Sequence, residues 1–415
     1  MDRSEATVST LGEMPPTRRR RWTPAAIAVG ALVFLAGCAD NAPQDIFQPK
    51  GENARKINDL QLPVFIIAGV VGVIVLGVIA YIMVRFRDKG QDIPEQSHGN
   101  PKLEIALTIL PALILAGISV PTVVTVFDLA KTSDAECIIE VTGQQWWWEY
   151  AYAPGDCGGV NIPTPIVTSG EIVIPEKTNV ILRITSRDVI HSFWIPALNG
   201  KRDAVPGRLH TLRMEADHPG IYTGQCTEFC GLSHARMRQA AVALTSADFQ
   251  TWVNNQLEPY TAPEAGTLAA EGEATFIANC SKCHQVNGIK TPDGTPVLSE
   301  PDLYVVSGVA PNLTDLMTRT AIAGWTFDLI SDECRDKLWR AKPDEFGAMY
   351  LKGVTPECFD EVTLRDWLRN PPAMKPMYVN SNNLASTGGK YRGMPNLNLK
   401  PDQIDQLIAF LLERK

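Results

Sequence analysis

Two uncharged stretches constrain this chain more than any other feature: Pro63 to Val84, 22 residues, and Ile105 to Phe127, 23 residues. Each is long enough to cross a hydrocarbon layer of roughly 30 Å as a helix, and a helix satisfies its own backbone polar groups in lipid. Both runs are too long and too evenly apolar for the two-sided helix of a soluble core. Arg85, Arg87, Lys89 and Lys102 flank the short connection between them, so the positive-inside rule puts that connection in the cytoplasm. The sequence therefore predicts a transmembrane hairpin over residues 63–127 (63–84 and 105–127), with residues 38–62 and everything after Phe127 exported.

A shorter apolar stretch, Trp22 to Cys38, follows Arg18, Arg19, Arg20 and Arg21, the layout of a signal peptide. It ends in Leu35-Ala36-Gly37-Cys38, which resembles the bacterial lipobox. That resemblance implies a lipoprotein signal peptide over residues 1–37, lipidation of Cys38, and a bacterial cell membrane as the location, with the later domains on its extracytoplasmic face. The chain has 415 residues, room for two to three domains at roughly 150 residues each. Its net charge is −8 and it has no long basic run beyond Arg18–Arg21, so nothing points to a nucleic-acid partner.

The exported tail holds eight of the nine cysteines. In an oxidising compartment these are disulfides, metal ligands or haem anchors. Residues 137–250 are rich in Val, Ile, Thr, Trp and Tyr with frequent Gly and Pro, as in an all-β sandwich. A Pro/Glu/Ala/Gly-rich linker over 258–266 follows, and helical periodicity takes over from residue 267. Within the β region, Cys226, Cys230, His234 and Met237 lie on one short segment and His191 lies upstream. Thiolate and thioether together favour copper over zinc, and two Cys suggest two copper ions sharing bridging sulfurs. Downstream, Cys280-Ser281-Lys282-Cys283-His284 is the C-x-x-C-H signature of covalent haem c attachment. With these assigned, Cys137, Cys157, Cys334 and Cys358 remain. Cys334 and Cys358 lie in one insert, and their bridge could stabilise it by roughly 3 kcal/mol. A Cys137–Cys157 bridge requires the chain to fold back after Tyr152, and the sequence leaves it open.

On these residues the chain resembles subunit II of the haem-copper cytochrome c oxidases over residues 57–257. His191-Ser192-Phe193-Trp194-Ile195-Pro196 is similar to the family's first-ligand motif, Gln225-Cys226 through Met237 to its ligand loop, and Asp203 to Arg208 to the connection between them. The resemblance implies a Greek-key cupredoxin domain over 128–257. Its dinuclear copper centre, CuA, would be held by His191, Cys226, Cys230, His234, Met237 and the backbone carbonyl of Glu228. The Glu228 side chain is then free for a magnesium ion at the border with subunit I. Gly143 to Tyr150 resembles the aromatic segment of the family, with Trp147 where Tyr is common. Trp146 is thereby the residue that receives electrons from cytochrome c, while Trp148 and Tyr150 are expected to fill the core. The Glu before a Thr-Ile-Leu-Pro segment lies in the family at the mouth of a proton pathway into subunit I. Here that residue is Glu104, before Thr108 to Pro111, with Leu107 replacing the usual Trp. An interfacial anchor at the positive end of a helix is the alternative role for Glu104.

Residues 267–415 resemble an all-α class I cytochrome c domain. A helix over Leu268–Asn279 carries Gly272 and Phe276 on one face, and Ile404, Leu407, Ile408 and Leu411 mark a terminal helix with Pro401 in its first turn. Such a fold needs a distal iron ligand, with Met374, Met377 and Met394 as candidates. Gly393-Met394-Pro395-Asn396-Leu397 best resembles the ligand loop of the family. Pro311-Asn312-Leu313 and Thr318-Arg319-Thr320 resemble haem-edge segments of oxidase-fused cytochromes, which implies that Arg319 neutralises a haem propionate, with a plain surface charge as the alternative. The insert from Trp325 to Thr363 has no evident purpose. Together these features imply the electron-accepting subunit II of an aerobic, proton-translocating terminal oxidase with a fused cytochrome c. Its partners would be subunit I, other oxidase subunits, and a quinol–cytochrome c reductase or cytochrome c donor. The alternatives are a freestanding membrane-anchored electron carrier or nitrous oxide reductase. The latter would need a second, His-rich copper cluster and no membrane hairpin.

Overall fold

The computed structural model describes residues 43–88, 90, 98–132, 135–289, 310–379 and 392–414. The expected signal peptide and the lipidation site at Cys38 lie outside the described residues. Helix α1 spans Glu52–Arg85 and α2 spans Pro101–Leu129, both long and apolar enough to cross a membrane. They exceed the expected 63–84 and 105–127, and the exported segment expected over 38–62 is helical from Glu52 onward. The reason is local: residues 52–62 are mostly strong helix formers, so the helix propagates past the lipid boundary. That extra length docks on the β domain. Lys50 N donates to Ala197 O at 2.7 Å, Asp217 N donates to Lys50 O at 2.8 Å, and Arg55 pairs with Asp217. Lys56 bridges Glu52 and Asp128, each at 2.6 Å, and so ties the outer ends of both helices together. Arg85 and Lys102 are at the opposite ends, as the charge asymmetry requires.

The β domain is a sandwich of strands β1 Cys137–Gln144, β2 Trp147–Tyr152, β3 Gly155–Cys157, β4 Val160–Ile162, β5 Ile166–Ser169, β6 Glu171–Pro175, β7 Val180–Ser186, β8 His191–Phe193, β9 Arg202–Ala204, β10 His210–Met214, β11 Gly220–Gln225 and β12 Arg238–Leu244. One sheet has the order β10-β7-β1-β2-β5 and the other β11-β12-β6. Period-two alternation points Ile139, Val141, Trp148 and Tyr150 into the shared core, where all four are fully buried. The chain folds back after Tyr152 and brings Cys157, at the end of β3, to the start of β1, where it forms a disulfide with Cys137; Gly158 and Gly159 then turn β3 into β4. Helix α3, Ser246–Gln256, starts at the Thr245 cap and packs Trp252 against Tyr152, ring centroids 5.1 Å apart.

The C-terminal domain crosses α4, Leu268–Asn279, with the terminal helix α9, Pro401–Leu412. Between them come the hairpin β13 Ala321–Ile322 and β14 Phe327–Asp328, then α5 Asp332–Trp339, α6 Pro343–Tyr350, α7 Glu361–Arg369 and α8 Pro371–Met374. Helix α9, Pro401–Leu412, buries Ile404, Leu407, Ile408 and Leu411. Gly272 lets the two long helices meet, since a Cβ there would stand 2.0 Å from Gln406 O. The insert over 325–363 is stapled by the Cys334–Cys358 disulfide. It fixes this domain to the β sandwich through Glu171, a fully buried carboxylate at the start of β6. Glu171 accepts from Thr320 N at 2.8 Å, Trp325 Nε1 at 3.0 Å and Tyr350 OH at 2.9 Å, and also from the Thr320 hydroxyl.

Candidate metal centre and haem cavity

The segment after β11 curls back so that Cys226 N donates to Met237 O at 2.9 Å, closing one loop around its own donor atoms. Cys226 Sγ and Cys230 Sγ stand 3.8 Å apart, well beyond a disulfide bond. His191 Nδ1 lies 4.0 Å from Cys226 Sγ, His234 Nδ1 lies 3.6 Å from Cys230 Sγ, and Met237 Sδ lies 3.8 Å from Cys230 Sγ. The carbonyl of Glu228 is 3.3 Å from Cys226 Sγ, while its side chain is exposed. All six residues named from the sequence thus converge, and soft sulfur and imidazole donors without another structural task fit a copper pair. A hydrogen bond from Cys230 holds the Cys226 thiol well below its ordinary range, and the Cys226 sulfur in turn pushes Cys230 up.

His191 is fully buried at the start of β8, and its Nε2 meets Asp188 Oδ1 at 2.8 Å. Burial opposes a charged imidazole, but the Asp188 carboxylate and the Cys226 sulfur outweigh it and raise the His191 pKa. Asp188 also accepts from Gln145 N and Val189 N, both at 2.8 Å, and pairs with Arg392 Nε at 3.6 Å. This carboxylate orients a ligand from behind, and its cationic partner comes from the other domain.

Trp146 Nε1 donates to Cys230 O at 3.1 Å, so the indole rests on the ligand loop itself. It is almost wholly buried, because the C-terminal domain covers it: Tyr378 lies on the indole with ring centroids 5.2 Å apart. Lys375 Nζ donates to Trp146 O at 2.9 Å and Ala323 O at 2.6 Å. Gly324, at φ +69°, comes so near that a Cβ would stand 2.2 Å from Trp146 O. Burial without a carboxylate partner among the described residues pushes the Lys375 ammonium down to about 7.

Beyond Trp146 opens a mainly apolar cavity of about 570 Å³, lined by Cys280, Cys283, His284, Met377, Met394, Leu368, Leu407 and Leu411. Cys280 and Cys283 are not bonded to each other, and His284 Nδ1 meets Pro311 O at 2.8 Å, which leaves Nε2 for iron. Burial lowers the His284 pKa and so favours the neutral imidazole that ligates. Two thiols, this imidazole and an apolar hollow fit a covalent haem c. Of the three candidate methionines, Met377 and Met394 line the cavity and Met374 does not. Met377 Sδ already accepts from Met394 N at 3.3 Å. Arg319 also lines the cavity, fully enclosed, with Nη1 donating to Ser169 Oγ at 2.8 Å and Nη2 to Asn312 O at 2.7 Å. Glu104 is far from both sites, on the exposed first turn of α2, where its Oε1 accepts from Asn100 N at 3.4 Å.

Sequence reasoning missed Gln144, Trp147, Glu171, Asp188, Lys375 and Arg392. For Trp147 a signal existed: if Trp148 and Tyr150 point into the core, Trp147 must point out, and it lines the cavity. Glu171 was also conspicuous, a lone charge heading the apolar run Ile172-Val173-Ile174.

A family model described as cytochrome c oxidase subunit II, periplasmic domain, matches residues 137–244. The corresponding transmembrane-domain model matches residues 44–124, and a cytochrome c model matches residues 269–327. Cytochrome c oxidase subunit 2 of Alkalihalophilus pseudofirmus is 34% identical over 290 residues, covering 68% of this chain and 82% of that one. The subunit of the same name from Bacillus sp. strain PS3 is 31% identical over 345 residues, 79% of each chain. Among solved structures, the periplasmic domain of subunit II of cytochrome oxidase from Bradyrhizobium japonicum is 31% identical. That match covers 31% of this chain and 96% of the other, with a TM-score of 0.27.

Proposed function

Since the chain belongs to the cytochrome c oxidase subunit II family, with a cytochrome c domain fused behind the copper domain, we propose that it relays electrons from its own haem c to its own copper pair. It is a membrane-anchored part of a haem-copper oxidase, and subunit I is its partner. When bound, haem c and the copper pair supply one-electron redox chemistry, taking electrons from a cytochrome c or quinol–cytochrome c reductase donor and giving them to subunit I, where oxygen is reduced with proton pumping. One observation carries this reading: Trp146 both lines the haem cavity and hydrogen-bonds the backbone of Cys230.

In this reading His191, Cys226, Glu228 (through its carbonyl), Cys230, His234 and Met237 hold the copper pair, and Cys280, Cys283 and His284 hold the haem. Met394 supplies the distal ligand, because the sulfur of Met377 is already engaged by a backbone N–H. A Met/His pair raises a haem potential toward electron transfer. The exposed Glu228 carboxylate is available to a magnesium ion at the subunit I border, and the exposed Phe229 and Leu232 give that border an apolar rim. With Trp146 covered by Lys375 and Tyr378, a soluble donor has to deliver its electrons at the haem. A bacterial cell membrane crossed twice, with Cys38 lipidated on the outer face, completes the proposal. The nitrous oxide reductase alternative is not favoured, since the hairpin is present and the described residues hold no second His-rich cluster.

Purification in mild detergent with subunit I, followed by metal analysis and a pyridine-haemochrome spectrum, tests it. Two coppers and one covalent haem per chain are expected; one copper in a fully loaded sample, or haem extractable by acidic acetone, overturns it. For proton uptake, Glu104 at the cytoplasmic mouth of α2 collects protons for subunit I, which an amide cannot do at neutral pH. Glu104→Gln is then expected to slow oxygen consumption while flash-induced haem-to-copper transfer stays unchanged. Full turnover in that variant leaves Glu104 as an anchor only.

A further inference from the structure

The even positions of β1 point away from the sandwich core. At the far end of the strand this outer face meets solvent, with Ile138 42% exposed, yet Gln144 is only 7% exposed and Trp147, its partner across β2, only 6%. The C-terminal domain roofs this end of the sheet, and both residues become wall of the haem cavity. Two polar atoms on that wall are buried without a hydrogen-bond partner among the described residues: Gln144 Nε2 and Arg319 Nε. The acceptors of Arg319, Ser169 Oγ and Asn312 O, are both neutral, and no carboxylate pairs with it within ion-pair distance among the described residues. The other two arginines on the wall differ: Arg187 Nη2 pairs with Glu149 at 2.9 Å and Arg392 Nε with Asp188 at 3.6 Å.

Asp315 and Glu171 act on the Arg319 guanidinium only from a distance, and an orphaned amide N–H beside an orphaned guanidinium N–H in one apolar cavity is costly unless an acceptor joins them. We propose that Gln144 completes, with Arg319, a carboxylate-binding subsite for a haem c propionate, so that the copper domain itself supplies part of the haem site. The inference rests on the haem c reading above. Gln144 offers nothing to the apolar face of a porphyrin, whereas its amide suits a propionate oxygen, and Arg319 adds a charge-assisted donor. The haem site is then incomplete without the cupredoxin sheet, and a copper-domain residue tunes the haem.

The sign follows from charge. A donor on the propionate offsets its negative charge and favours reduced haem; removing the donor favours the oxidised form. Redox titration of haem c in the full oxidase, in wild type, Gln144→Leu, Gln144→Glu and Arg319→Gln, tests the proposal. Gln144→Leu is expected to weaken haem reduction about threefold, and Gln144→Glu and Arg319→Gln about tenfold, the latter corresponding to ~59 mV for one electron. An unchanged copper electron paramagnetic resonance spectrum in each variant checks that the sheet still folds. Covalently attached haem with a potential unmoved by both Gln144 variants overturns the subsite. Wild-type protein without covalent haem overturns instead the reading on which it rests.

Discussion

The copper and haem sites differ in how much chain each needs. Apart from His191, the residues proposed to hold copper sit on the one loop from Cys226 to Met237, held by a backbone bond across its own neck. The haem cavity gathers Cys280, Cys283 and His284 with Met394 from far downstream and Gln144 and Trp147 from far upstream. A site closed within one loop costs little chain entropy to assemble and depends on one domain. A site walled by two domains exists only while they stay docked. The copper centre is thus a property of the sandwich, and the haem environment a property of the interface.

The largest test of that contrast removes each cofactor in turn. Cys230→Ser is expected to abolish the dinuclear copper signal while covalent haem persists, because attachment needs only Cys280 and Cys283. In the converse variant, with Cys280 and Cys283 both changed to Ala, haem is lost and the copper signal is expected to remain. Electron paramagnetic resonance and haem staining of the same membranes read both. Loss of copper in the haem-free variant would break the contrast.

A middle-sized effect is expected at the interface. Glu171→Ala strips the acceptor from Thr320, Trp325 and Tyr350 and leaves buried donors unpaired. Hydrogen bonds to a buried charge put the lost docking energy at about 3 kcal/mol. Flash-induced haem-to-copper transfer is expected to slow by at least about tenfold, since that energy governs how often the domains are apposed. The copper spectrum should not change. Unaltered transfer would mean that the insert docks by other contacts.

How much of this was readable in the sequence follows the same division. The hairpin, the copper loop and the C-x-x-C-H segment were legible because each is contiguous and chemically unusual: charge-free length, paired thiolates with a thioether, thiols adjacent to an imidazole. The helices run past the apolar spans because residues 52–62 keep helical propensity and dock on the β domain, a tertiary effect that apolar length does not encode. Lys375, the partners of Glu171 and the Asp188–Arg392 pair were hidden for another reason. Their partners lie far away in sequence and are ordinary polar residues, so neither member is marked until the fold brings them together. The insert over 325–363 looked purposeless because its task is to grip another domain.

The smallest and most discriminating test lies where the two sites touch. Arg392, next to the loop that carries Met394, pairs with Asp188 Oδ2, while Asp188 Oδ1 holds His191 Nε2. If the copper centre were wholly a property of the sandwich, Arg392→Gln would leave it untouched. The geometry argues for a slight leak across the interface. Without the guanidinium, Asp188 draws more strongly on the imidazole N–H, His191 becomes a better donor, and oxidised copper is favoured. The Arg392 side chain is 30% exposed, so water already screens much of its charge, and a change of less than about threefold in the copper redox equilibrium is expected, shrinking further as salt rises. Spectroelectrochemical titration of the copper band at low and high ionic strength measures it. A shift that ignores salt would assign the effect to altered packing rather than charge, and no shift at all would make the copper site as self-contained as its loop suggests.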